Sequence, residues 1–202
     1  MPNWFDPSSE VKSPNELFGW NKPTGLLDGL VNIIVKGRSH VQILGERRAG
    51  KSSILNCLSH EISKDLSKTK LIPVIVNFNR YMDTLDSENG YNLFSACILN
   101  ELENIDDLKP NNSIEISHII INRENDVGGY LNNLSNAKLS KQKTKRFFKN
   151  LIFDIAEKGY SVLLLIDEYE AMFMGTFEGK KGSLYGVRDL VMGELPNERY
   201  FQ

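Results

Sequence analysis

Eight residues, Gly45-Glu46-Arg47-Arg48-Ala49-Gly50-Lys51-Ser52, follow the pattern G-x-x-x-x-G-K-[ST], and each fixed position has its own chemistry. Gly45 and Gly50 let the backbone turn tightly enough to aim N–H groups at phosphate oxygens. Lys51 supplies a point charge for β- and γ-phosphates, and the Ser52 hydroxyl suits Mg²⁺. Glu46, Arg47, Arg48 and Ala49 complete the loop, and Ser53 follows it. Arg47 and Arg48 could reach phosphate, a neighbouring subunit or only solvent. A second set of reactive groups closes the apolar run Val162-Leu163-Leu164-Leu165-Ile166, which ends in Asp167-Glu168. Asp167 is placed to hold Mg²⁺ through water, and Glu168 to orient or deprotonate a water attacking a γ-phosphate. The plainer alternative is that both acids mark a strand end entering solvent.

These groups need particular elements to position them. His40-Val41-Gln42-Ile43-Leu44 reads as a short strand before the loop. Ile54, Leu55, Leu58, Ile62 and Leu66 follow at helical spacing. Strand, glycine loop and helix form the order that a phosphate cradle requires, the helix adding its positive N-terminal end. The unbroken apolar run before Asp167 suits a parallel strand buried on both faces, and such strands present polar groups to ligands at their C-terminal ends.

Other segments are legible to different degrees. Residues 1–23 hold Pro2, Pro7, Pro14 and Pro23 with Trp4 and Trp20, which predicts an extended, irregular segment packed on the remainder. Leu17-Phe18-Gly19-Trp20 either lines an adenine slot or ties this segment to the core. Thr24 can cap a helix with Leu26, Leu27, Leu30, Val31, Ile34 and Val35 on one face and Gly37 as its stop. Residues 71–78 read as a strand in which Pro73 favours a sheet edge. Residues 91–102 read as a helix whose apolar side is Leu93, Phe94, Ile98 and Leu102. Residues 141–158 form an amphipathic helix through Phe147, Phe148, Leu151, Ile152 and Ile155, with Lys141, Lys143, Lys145 and Arg146 crowded into its early turns. Residues 104–139, rich in Asn and Asp, read as an insertion with a short element around its apolar patch at 114–121. The remaining 24–202 is one domain.

Composition narrows the classes. The chain has 202 residues, 41% hydrophobic and 25% charged, which fits one globular domain or a large part of one. Its longest apolar stretch is far short of a membrane span, and no secretory signal pattern opens it. Two cysteines, Cys57 and Cys97, make neither a disulfide framework nor a metal spacing, so they read as buried thiols in a cytoplasmic setting. A net charge of −2 does not single out nucleic acid as a partner.

Taken together, the motifs resemble those of STAND-type and archaeal-ATPase-like proteins, P-loop NTPases of the AAA+ superclass. Gly45 to Leu55 is similar to their G-x-R-R-x-G-K-[ST]-S-[LI]-L stretch, Pro73-Val74-Ile75-Val76-Asn77 to their second strand, and Leu164-Leu165-Ile166-Asp167-Glu168-Tyr169-Glu170 to their acidic strand. Residues 184–190 resemble the following helix. Glu16-Leu17-Phe18-Gly19-Trp20 departs from the usual entry motif F-x-G-R. The resemblance implies a three-layer α/β/α P-loop fold with a parallel sheet ordered 5-1-4-3-2, whose C-terminal part is missing beyond Gln202. It implies ATP and Mg²⁺ as ligands, with Lys51 and Glu168 catalytic, Ser52 and Asp167 on the metal, and residues 45–53 around the nucleotide. It also implies a hydrolysing switch in signalling or in defence against phage or plasmids, assembling as a homo-oligomer or with a partner subunit. Two rivals stay open: a non-hydrolysing nucleotide-bound scaffold and a DNA-handling ATPase. A sheet lacking its fourth and fifth strands should leave backbone groups unpaired at roughly 1–3 kcal/mol each, predicting poor solubility or dependence on a partner strand.

Overall fold

The computed structural model describes residues 25–37, 41, 43, 49–81, 90–109, 113–116 and 118–168. They form a mixed α/β unit around a small parallel sheet. In chain order come α1 (Leu26–Gly37), α2 (Lys51–Lys64), α3 (Leu66–Thr69), β1 (Leu71–Asn77), α4 (Phe78–Tyr81), α5 (Gly90–Leu102), β2 (Ser113–Ile116), β3 (Ile119–Asn122), α6 (Val127–Asn136), α7 (Lys141–Glu157) and β4 (Ser161–Asp167). Segment 1–23, the loop positions 45–48 and the helix expected at 184–190 lie outside the described residues. Of the expected strand at 40–44, Val41 and Ile43 are described, and neither is in a strand.

β1 and β4 pair in parallel, in a register running from Leu71 opposite Ser161 to Asn77 opposite Asp167. Their side chains alternate between two cores. Ile72, Val74, Val76 and Val162 join the larger one, built with α5, α6 and α7. Leu71, Leu163 and Leu165 join a smaller one, built with Leu27, Leu30 and Ile34 of α1 and Ile54, Cys57, Leu58 and Ile62 of α2. Helices therefore cover both faces of these two strands, which is why β1 and β4 read as continuous apolar runs. Pro73, which has no N–H to give, is accommodated opposite Leu163.

Residues 104–139 contain a defined substructure. β2 and β3 pair antiparallel, Ser113 opposite Asn122 and Ile116 opposite Ile119. Asp126 caps α6 by accepting the Gly129 N–H at 2.7 Å. Ile116, Ile121, Tyr130, Leu131 and Leu134 are buried in the larger core. Tyr130 donates to Glu103 Oε1 at 2.6 Å, and Arg123 Nε lies 2.7 Å from Glu103 Oε2, so the hairpin and α6 are anchored to the end of α5. At the N-terminal ends of β1 and β4, Lys70 Nζ donates to the Tyr160 hydroxyl (3.0 Å), which donates to Asp107 (2.9 Å). No helix among the described residues is long and apolar enough to cross a membrane.

Candidate functional site

The N-terminus of α2 carries the described part of the glycine motif. Gly50 sits at the cap with φ +82° and ψ +16°, in the left-handed region that glycine enters without a Cβ clash. Ile54 N–H then makes the first helical bond, to Gly50 O, at 3.0 Å. A glycine cap brings no side-chain oxygen to the first turn, and that turn holds no acid, so the helix does not neutralise its own positive end. Ala49 and Gly50 are exposed, while Lys51, Ser52 and Ser53 are half-buried. Gly45, Glu46, Arg47 and Arg48 lie outside the described residues.

The C-terminal ends of β1 and β4 carry the acidic half. Asn77 and Asp167 are register partners, and Asn77 Nδ2 donates to Asp167 Oδ2 at 3.2 Å. Asn77 Oδ1 in turn accepts the Arg80 N–H at 3.1 Å, which fixes the amide's orientation. The Glu168 N–H donates to Asp167 Oδ1 at 3.0 Å. Both Asp167 oxygens are thus engaged by neutral donors, and the residue is 7% exposed. Among the described residues no cation forms an ion pair with it. The Asp167 carboxylate and the Ser52 hydroxyl are oxygen donors of the kind that Mg²⁺ takes beside water and phosphate. No cluster of three or more His, Cys, Asp or Glu side chains able to hold a metal occurs among the described residues.

Glu168 follows with φ +54°. A left-handed residue with a Cβ costs about 1–2 kcal/mol, so the half-buried Glu168 departs from the extended backbone of β4.

Topology brings the two halves together. α2 and the short α3 lead directly into β1, and α2 packs on both β1 and β4. α2 therefore runs antiparallel to the strands, and its 14 residues span about 21 Å, close to the roughly 23 Å of a seven-residue strand. This sets the Lys51 end of α2 at the C-terminal end of β1 and β4. Alternation supplies the second coordinate: Asn77 shares a strand face with Leu71 and Ile75, and Asp167 with Leu163 and Leu165, all on the α1–α2 side. Connectivity and alternation thus direct the α2 N-terminus and the Asn77–Asp167 pair toward one end and one face of the sheet. Asn77 is the member whose role sequence reasoning missed. Its signal was a polar residue closing an apolar run, as Asp167 does.

Comparison with protein families, curated proteins and solved structures finds no match.

Proposed function

We propose that the chain is an ATP-binding and hydrolysing switch module with a three-layer α/β/α P-loop fold, its sheet ordered 5-1-4-3-2. The observation that carries this reading is the shared end and face of the α2 N-terminus and the Asn77–Asp167 pair. The adjacent parallel pairing of β1 and β4 supports the order, in which the second and third strands are neighbours. The G-x-x-x-x-G-K-[ST] sequence supplies the loop that this arrangement calls for.

In this reading residues 45–53 wrap the phosphates, and Lys51 neutralises charge on the β- and γ-groups. Ser52 and Asp167 would hold Mg²⁺, which when bound supplies electrostatic stabilisation of the developing phosphate charge. Glu168 accepts a proton as water oxygen bonds to the γ-phosphorus. The bond from that phosphorus to the bridging oxygen breaks, and ADP carries away the electron pair. Asn77 and the Glu168 N–H hold Asp167 at a single orientation throughout. The family resemblance extends the proposal to nucleotide-dependent assembly with further copies or a partner subunit, and to signalling or defence.

Two substitutions test it. Lys51→Ala should abolish binding of a fluorescent ATP analogue with the circular dichroism spectrum unchanged. Glu168→Gln should retain binding while phosphate release falls by about 10²–10⁴-fold, the usual contribution of a general base. Binding that survives Lys51→Ala would refute the phosphate site. Hydrolysis unaltered by Glu168→Gln would remove the assigned base.

A further inference from the structure

Six of the chain's 24 Lys and Arg residues fall between positions 138 and 149: Lys138, Lys141, Lys143, Lys145, Arg146 and Lys149. No Asp or Glu occurs between Asp126 and Asp154, so the other 18 cations face all 26 acids elsewhere. A chain of net charge −2 thus gathers a quarter of its cations into an acid-free stretch at and just before the start of α7. Lys138, Lys143, Arg146 and Lys149 are exposed. The last three recur every third residue along the solvent side of α7. Like charges at this spacing cost a helix about 0.2–0.5 kcal/mol per pair, and cations in the first turn oppose its dipole. α7 has no acid in its first turn and no side-chain cap bond. Neither Lys143 nor Arg146 has an ion pair among the described residues.

We infer that this face of α7 binds the phosphate backbone of nucleic acid without reading its sequence. The core argues against a helix inserted in a lipid surface. A helix lying in a membrane interface must insert its apolar side, but Phe147, Phe148, Leu151, Ile152 and Ile155 are committed to the interior. The exposed Phe153 adjoins Asp154, with Glu157 one turn further, where an anionic surface would be repelled. Exposed cations without an accompanying apolar anchor recognise charge density, and a duplex offers one phosphate per about 1.7 Å of axis.

The location connects this surface to the candidate nucleotide site, although binding there does not depend on ATP chemistry. α7 enters β4 through residues 158–160 and packs along it, so its basic end lies at the C-terminal end of the sheet. That is the end bearing Asp167, but on the opposite face from α2.

The experiment measures anisotropy of a dye-labelled 24-base-pair DNA duplex, and of its RNA counterpart, with the full chain and no nucleotide, from 25 to 200 mM salt. Sedimentation with phosphatidylserine vesicles runs alongside. Wild type should bind one or both duplexes, with log affinity falling linearly with log salt. Lys143→Glu/Arg146→Glu should weaken binding at least tenfold and reduce the salt slope by about 2, near 0.9 per lost phosphate contact. Lys68→Glu, an exposed reversal on α3, should change affinity less than threefold, and thermal melts should confirm that all three chains fold. No duplex binding at 25 mM salt, equal losses in the α7 and α3 variants, or preference for vesicles would overturn the assignment.

Discussion

At the scale of single residues, the half-buried Asn77 and the buried Cys97 contrast an engaged polar side chain with one enclosed among apolar ones. Asn77 gives its amide hydrogen to Asp167 and takes the Arg80 N–H, so both ends of its side chain are used. Asn77→Ala removes one of the two donors on a buried carboxylate, at about 1–3 kcal/mol for an interaction with a charged group. The expected outcome is a fall in the Mg²⁺ affinity of the ATP-bound protein, followed by titrating hydrolysis against the metal. Retained nucleotide affinity in the absence of metal would separate this effect from unfolding. Cys97 is enclosed instead, and burial pushes its thiol up to about 12. The thiolate is the reactive form, so Cys97, and Cys57 with its completely buried side chain, should both resist an aromatic disulfide reagent at pH 8 until denaturant is added. The folded value of Cys97 lies above the unfolded one. Its share of stability is therefore complete below about pH 8.5 and declines as pH rises towards 12. Cys97→Ala should make the alkaline loss of stability shallower in urea titrations.

At the scale of elements, the strands at 71–77 and 161–167 and the helices at 26–37 and 141–157 were legible because each carries one strong pattern. Continuous apolar runs mark strands covered on both faces, and a 3.6-residue stripe marks a helix with one wet side. α5 was only partly legible, since every residue from Gly90 to Leu99 is buried, Asn92 and Ser95 included. A helix enclosed by α6, α7 and β1 has no polar face to display. Segment 104–139 showed only a short element around 114–121, for another reason: β2 and β3 have four residues each, too few for alternation to emerge, and they pack against α6 and α7. Junctions matter as much as the elements. Gly159, with φ +82° and no atom within 4 Å of where a Cβ would stand, turns the chain from α7 into β4. Gly159→Ala should therefore cost about 1–2 kcal/mol from backbone conformation alone, a fall of a few degrees in melting temperature for a chain this long. An equal effect of Gly29→Ala, in mid-helix with equally open space, would show that the left-handed turn is not the cause.

At the scale of the whole molecule, β1 and β4 form the shared wall of two cores that have no other described strand in common. The larger core holds Phe78, Phe94, Phe148 and Tyr91 in mutual ring contact, and the smaller holds α1 and α2 against the opposite face. The proposed ligand would sit on the smaller core's side of this wall, held by the first turn of α2 and by the ends of the strands. Binding to the folded state alone stabilises it by RT ln(1 + [L]/Kd), about 2.7 kcal/mol at a hundredfold excess over Kd. For a chain this long that corresponds to a rise of roughly 5–10 °C in melting temperature. ATP with Mg²⁺ should raise the melting temperature of the wild type and of Glu168→Gln, and should leave Lys51→Ala unmoved. Hydrogen exchange locates the effect: amides of α2, which close the smaller core, should gain more protection than those of α5, already sealed in the larger one. Equal protection of both helices would mean that the two cores open together and that the ligand does not act through the smaller core.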